Sequence, residues 1–132
     1  SDYLVKIIKN LDYPPKMYQI TRRPEGAYNT DYLSRNGIVD KDTPGFPSGH
    51  VTSITIFSVF MILAKWQFKL PLSDFILSNK RFCLVHIFLI CITGVARYVK
   101  KCHNIFQILG GFVFGSFMAG IFYFLMKLFL IL

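Results

Sequence analysis

Residues 43–70, TPGFPSGHVTSITIFSVFMILAKWQFKL, decide how the chain is read. The first eight letters hold two prolines and two glycines and describe a turn. From Val51 onward the chain becomes apolar. A helix crosses a bilayer with about 20 mostly apolar residues, in a range of about 17 to 25. The clean run stops at Ala64, yet Lys65 and Lys69 can snorkel to the headgroups while Trp66 and Phe68 occupy the interfacial belt. Residues 51–70 therefore read as a membrane span whose mouth is Ser48-Gly49-His50. A buried helix of a soluble core is the competing reading, and length disfavours it.

Two further stretches, residues 82–98 and 105–126, meet the length requirement directly. The chain has 132 residues, of which 53% are hydrophobic, and its mean hydropathy is +0.44. That is too apolar for an ordinary soluble domain of this size. The expected fold class is all-α: a multi-span membrane helical bundle with three visible spans, forming a single domain over residues 1–132. The first residue is Ser rather than Met, so the natural chain is expected to begin upstream. The third span carries Gly111, Gly115 and Ala119 at four-residue spacing, a pattern that lets helix backbones approach closely.

Fifteen Lys and Arg stand against seven Asp and Glu. Residues 1–49 hold seven bases and six acids, whereas residues 50–132 hold eight bases and one acid, so the excess lies on loops between spans. Such an excess serves topology, anionic lipid or a phosphorylated substrate. Nucleic acid does not fit a chain this apolar. Cys83, Cys91 and Cys102 are odd in number and lack paired spacing, so neither a disulfide framework nor a zinc site is expected. Cys83 and Cys91 are expected to pack as small apolar residues.

Upstream of the turn, residues 2–12 place Leu4, Ile7, Ile8 and Leu11 at amphipathic-helix spacing. Such a helix lies on the membrane surface or ends a preceding span. Pro15 can open a second helix, expected to reach about Arg22 because Pro24 disfavours helix at the residue before it. Lys16 and Arg23 would then share one face, about 10 Å apart along the axis. Residues 24–46 are rich in Gly, Asn, Asp and Pro and read as a loop or short hairpin capping the site.

Topology gathers the chemistry. His50 opens the first span, the second returns, and Arg97 and His103 stand where the second hands over to the third. Lys16, Arg23, Ser48, His50, Arg97 and His103 thus share one membrane face. Cationic side chains neutralise phosphate oxygens, and the amides around Gly49 at a helix N-terminus add donors and a favourable dipole. Two histidines can divide nucleophile and general acid between them. His86 lies inside the second span and reads as a packed core histidine.

These residues resemble the type 2 phosphatidic acid phosphatase superfamily, which shares its site with vanadium haloperoxidases. KMYQITRRP supplies the Lys, six residues, Arg-Pro pattern with Lys16, Arg23 and Pro24, and Pro-Ser-Gly-His is matched in full at 47–50. ARYVKKCHNIFQ supplies the third motif with Arg97 and His103, but Ala96 replaces its usual Ser and Gln107 its usual Asp. The resemblance implies that His103 attacks phosphorus, that His50 protonates the leaving oxygen, and that Lys16, Arg23, Ser48, Gly49 and Arg97 hold the phosphate. It implies no metal or other cofactor. Gln107 would orient the nucleophile; Gln also stands there in similar enzymes, so the change does not imply an inactive protein.

The activity implied is hydrolysis of a lipid phosphate or polyprenyl diphosphate through a phosphohistidine, with a phosphorylated lipid and the bilayer as partners. A phosphatase of a small soluble ester and a catalytically silent phospholipid-binding protein are the alternatives. The 65–81 connection, with Lys65, Lys69, Lys80 and Arg81 against Asp74, is expected in the cytoplasm, and the site on the lumenal or extracytoplasmic face.

Overall fold

The computed structural model describes residues 2–27 and 44–131, and the capping loop expected over 24–46 falls largely outside them. The architecture is all-helical: α1 (Asp2–Lys9), a 3-10 turn (Pro15–Met17), α2 (Tyr18–Thr21), α3 (Gly49–Trp66), α4 (Leu72–Ser78), α5 (Lys80–Val99) and α6 (Ile105–Ile131). Three of these, α3, α5 and α6, are long and apolar enough to cross a membrane. At 1.5 Å per residue they measure about 27, 30 and 40 Å, against a hydrocarbon core of about 30 Å. Their outer faces carry exposed Met61, Phe88, Phe117 and Leu125, as expected of side chains that face lipid.

The first span is shorter than its composition indicates. It stops at Trp66, where Gln67 takes a left-handed backbone conformation and its amide caps the carbonyl of Leu63. Trp66 packs on Phe68 and Phe75. The connection beyond contains the short helix α4, which the sequence reading did not anticipate. Asn79 closes it by donating from Nδ2 to the carbonyl of Phe75.

The bundle is organised around α3, which packs on both α6 and α5. Its buried face is small and partly polar: Val51, Thr52, Thr55 and Ser58. Facing it are Gly111, Gly115 and Ala119 of α6, all buried. A Cβ at Gly115 would lie 2.8 Å from the carbonyl oxygen of Thr52 and 2.8 Å from the Cβ of Thr55. One at Gly111 would lie 2.9 Å from the carbonyl oxygen of Ser48. Any larger residue must drive the helices apart, and overpacking of this kind costs about 1–3 kcal/mol. The contact sets the depth at which the start of α6 meets the start of α3.

The amphipathic helix α1 docks differently from its pattern. Val5 is its buried residue, while Leu4, Ile7 and Leu11 stay exposed. Val5 sits against Gly49, its Cγ1 3.8 Å from where a Cβ would be. The apolar stripe is therefore left for lipid, and α1 covers the mouth of α3. Of the two cysteines expected to pack, Cys83 is buried and Cys91 is exposed.

Candidate functional site

The starts of α3 and α6 and the end of α5 meet at one end of the bundle, and a cavity of about 820 Å³ opens between them. Arg23, Gly49, His50, Arg97 and His103 line it, together with Lys6 and Lys9 of α1. Its other wall is Ser53, Ile54 and Phe57 of α3 with Thr93 of α5. The cations stand on one side, the other mixes Ile54 and Phe57 with the hydroxyls of Ser53 and Thr93, and no carboxylate is among the described lining residues.

Each cationic group arrives by a definable local cause. Arg97 belongs to the last turn of α5, where a cation suits the helix dipole. It is 8% exposed, and its Nε has no hydrogen-bond partner among the described residues. Arg23 follows α2 in extended chain. Its neighbour Arg22 takes φ −92° and ψ 151°, bridges to Pro44 and lays its guanidinium over Tyr18 at 3.7 Å. Side chains alternate in extended chain, so Arg22 is spent on Tyr18 while Arg23 lines the cavity. Lys16 lies in the 3-10 turn, exposed and outside the cavity lining.

The helical run from Pro15 forms, as a 3-10 turn continued by α2, and ends at Thr21 with Arg22 as its cap, so Arg23 lies beyond it. Pro24 has no N–H to offer the carbonyl of Ile20, and the carbonyl of Thr21 receives the amides of Gly45 (2.7 Å) and Phe46 (3.1 Å) instead. Because the chain is extended from Arg22, Arg23 does not share a helix face with Lys16.

Gln107 is fully buried and connects all three motif segments. Its Nε2 donates to the carbonyls of Ile20 (3.0 Å) and Arg22 (2.5 Å). Its backbone carbonyl accepts the amide of Ser48 at 2.9 Å. Its Oε1 faces His103 Nδ1 at 3.0 Å and accepts the Asn104 amide at 3.2 Å. Carbonyl oxygens only accept, so the two at Ile20 and Arg22 fix which end of the amide is nitrogen. The oxygen must then face His103, and Nδ1 carries the ring proton. That leaves the Nε2 lone pair of His103 available for attack.

The sequence carried a signal for this arrangement that the reading passed over. Asn104-x-x-Gln107 is a capping box: Asn104 Oδ1 accepts the Gln107 amide at 2.9 Å while Gln107 Oε1 accepts the Asn104 amide. Asn104 Nδ2 also reaches the carbonyl of Gln19 at 2.9 Å. Lys6 and Lys9 were likewise missed as site residues, because their helix was read for its apolar stripe.

His103 is 3% exposed. Burial, followed by the charges of Arg23, Arg97 and Lys9, pushes its pKa down from 6.5 to about 3, against the opposing hydrogen bond to Gln107. It is a neutral imidazole at physiological pH. Ser48 begins α3 in extended conformation without capping it through its side chain; its hydroxyl is buried and unpartnered among the described residues. His50 is exposed on the cavity wall. Cys102 is buried beside His103, its thiol 3.5 Å from the carbonyl of Lys100. His86 lies apart, buried against the rings of Phe82 and Phe57.

Fold and site together define a helical protein with three candidate membrane spans and a cationic cavity holding two histidines at one end of the bundle. Residues 6–129 match the PAP2 superfamily, and the chain belongs to that superfamily. No curated protein and no solved structure shows a significant match.

Proposed function

We propose that the protein is an integral-membrane phosphatase that hydrolyses a lipid phosphate or polyprenyl diphosphate through a phosphohistidine. The observation that carries this reading is the divided cavity. His103, His50, Arg23 and Arg97 stand on its cationic side, and Ile54 and Phe57 line the way toward the membrane-spanning part of α3. A phosphoryl group fits the first and an acyl or prenyl chain the second.

In this mechanism the Nε2 lone pair of His103 attacks phosphorus, and the bond to the leaving oxygen breaks with its electrons on that oxygen. Arg23 and Arg97 neutralise the equatorial oxygens, with the first-turn amides of α3 at Gly49 as further donors. His50 supplies the proton to an alkoxide leaving group. Water then gives a proton to His50 and attacks phosphorus, and the N–P bond breaks with its electrons on Nε2, releasing phosphate and restoring neutral His103 and protonated His50. Ser48 is within the same helix start and lends its hydroxyl to the phosphate.

Detergent-solubilised protein is expected to release phosphate from phosphatidate or a prenyl phosphate far faster than from a soluble sugar phosphate. Vanadate, which mimics five-coordinate phosphorus, should inhibit, and a chelator should not. Faster turnover of the soluble ester would favour a phosphatase for small substrates. Binding of the lipid without turnover would favour a silent binding protein.

For orientation, we infer an extracytoplasmic or lumenal site, supported by the bases of the 65–81 connection. Single cysteines at Glu25 and Ser73, both exposed, in a background lacking the native three should label from opposite sides, Ser73 from the cytoplasm. Labelling of both from one side would remove the antiparallel arrangement on which the two-histidine site depends.

A further inference from the structure

At the end of the bundle opposite the histidines, each of the three spans carries a base. Lys65 belongs to the last turn of α3, and Lys80 and Arg81 open α5. Lys69 lies in the connection after α3, and Lys127 is the single charged residue of α6. All five are exposed. Aromatic contacts draw them together. Lys65 Nζ stands 4.4 Å over the ring of Phe82, and Phe68, next to Lys69, packs its ring against Tyr123 and Phe124 at 5.8 and 6.1 Å. Lys127 follows these two by four and three residues, so it shares their face of α6. It lies about 33 Å along the axis from the start of α6, against a hydrocarbon core of about 30 Å, which is headgroup depth on that side. Asp74 is the one acid in residues 50–132, and its Oδ1 accepts the Ser73 hydroxyl at 3.2 Å. The other six acids precede α3, so the chain itself offers this end little negative charge.

Local structure does not account for this placement. A helix dipole disfavours cations in the first turn, where α5 sets both Lys80 and Arg81. Orientation of the spans requires only that bases flank them; it does not require bases of three helices to meet around one aromatic cluster. Apolar side chains stand beside the bases: Leu70, Leu72, Ile76 and Leu77 are exposed while Phe75 is buried. Bases next to exposed apolar side chains match the depth at which lipid phosphates meet acyl chains. We propose that this end of the bundle binds an anionic phospholipid of the leaflet opposite the histidine site, its phosphodiester held among the bases of the three spans and its acyl chains lying beside α4.

Trp66 is the only tryptophan of the chain and belongs to this cluster, its ring 4.2 Å from that of Phe68, so its fluorescence reports the lipids around it. The whole chain is reconstituted in phosphatidylcholine bilayers holding a minor fraction of phosphatidylglycerol, with bromine on the acyl chains of either the phosphatidylglycerol or an equal fraction of the phosphatidylcholine. Both leaflets carry the same lipids, so the direction in which the chain inserts does not affect the reading. Brominated phosphatidylglycerol should quench Trp66 as if enriched about fivefold or more, the size expected of one base near an anionic surface. Lys69→Gln, Lys80→Gln and Arg81→Gln together, all at exposed positions, should bring the two lipids to equal quenching. Lys127→Gln should lower the ratio while leaving every base of the 65–81 connection in place, and Lys127→Arg should keep it. Equal quenching by the two lipids in the wild type would overturn the proposal, and so would a preference that the triple variant retains or that Lys127→Gln leaves unchanged. The measurement needs no turnover, so its failure leaves the phosphatase reading untouched.

Discussion

His103→Ala is expected to lower phosphate release by more than about a thousandfold, because in the proposed mechanism the group it removes forms the covalent bond to phosphorus. Its cavity would remain, since Gln107 holds the surrounding segments through its own main-chain and amide bonds. His50→Ala should cost about 10²- to 10⁴-fold with a poor alkoxide leaving group and much less with a good one, the signature of a lost general acid. The pH dependence follows from the low basicity of His103. With a pKa of about 3, its ring is neutral throughout the neutral range, as the proposed attack requires. Any fall in kcat/KM between pH 5 and 7 must therefore come from another group or from the substrate. Stability has the same origin. The unfolded chain takes up this proton near pH 6.5 and the folded one near 3, so the folded state loses stability progressively as pH falls through that interval. Rapid-quench trapping of a phosphorylated histidine in the wild type, absent from His103→Ala, would check the assignment; full activity of His103→Ala would end it.

The second large effect is expected at Gln107. Gln107→Leu leaves the ring proton of His103, the Asn104 amide and the carbonyls of Ile20 and Arg22 without their present partner. Unsatisfied buried groups cost about 1–3 kcal/mol each, so the variant should melt lower and turn over more slowly at every pH. Gln107→Glu is the more informative change. It keeps an acceptor for His103 and for the Asn104 amide, so the acid limb should move to higher pH as the carboxylate stabilises the imidazolium. It also sets a carboxylate oxygen against the carbonyls of Ile20 and Arg22, which loosens the segment carrying Arg23, so KM should rise. Gln107→Asp should move the acid limb in the same direction, but with a shorter reach. Wild-type kinetics in Gln107→Leu would show that Gln107 does not orient the nucleophile.

These two residues also show how far the sequence could be read. The period and length of the apolar stretches determined three helices and their antiparallel order, and connectivity then required His50, Arg97 and His103 to share one end. The spacing of Gly111, Gly115 and Ala119 marked a face of α6 for close helix approach, and the structure shows that at Gly111 and Gly115 the helix it meets there is α3. The i to i+4 relation of His103 and Gln107 likewise placed one beside the other.

Tertiary contacts decided what local spacing could not. Lys16 and Arg23 look like partners on one helix, but the carbonyls needed to continue that helix are taken by Gln107 and by the amides of Gly45 and Phe46. The chain straightens, Arg23 enters the cavity and Lys16 stays outside it. Lys6 and Lys9 show the converse: a surface helix read from its apolar stripe docks through Val5 instead, which brings its lysines to the site. Side-chain period specifies which faces a helix has, whereas the groups competing for its carbonyls, and the surface it lands on, determine whether the helix continues and which face turns inward.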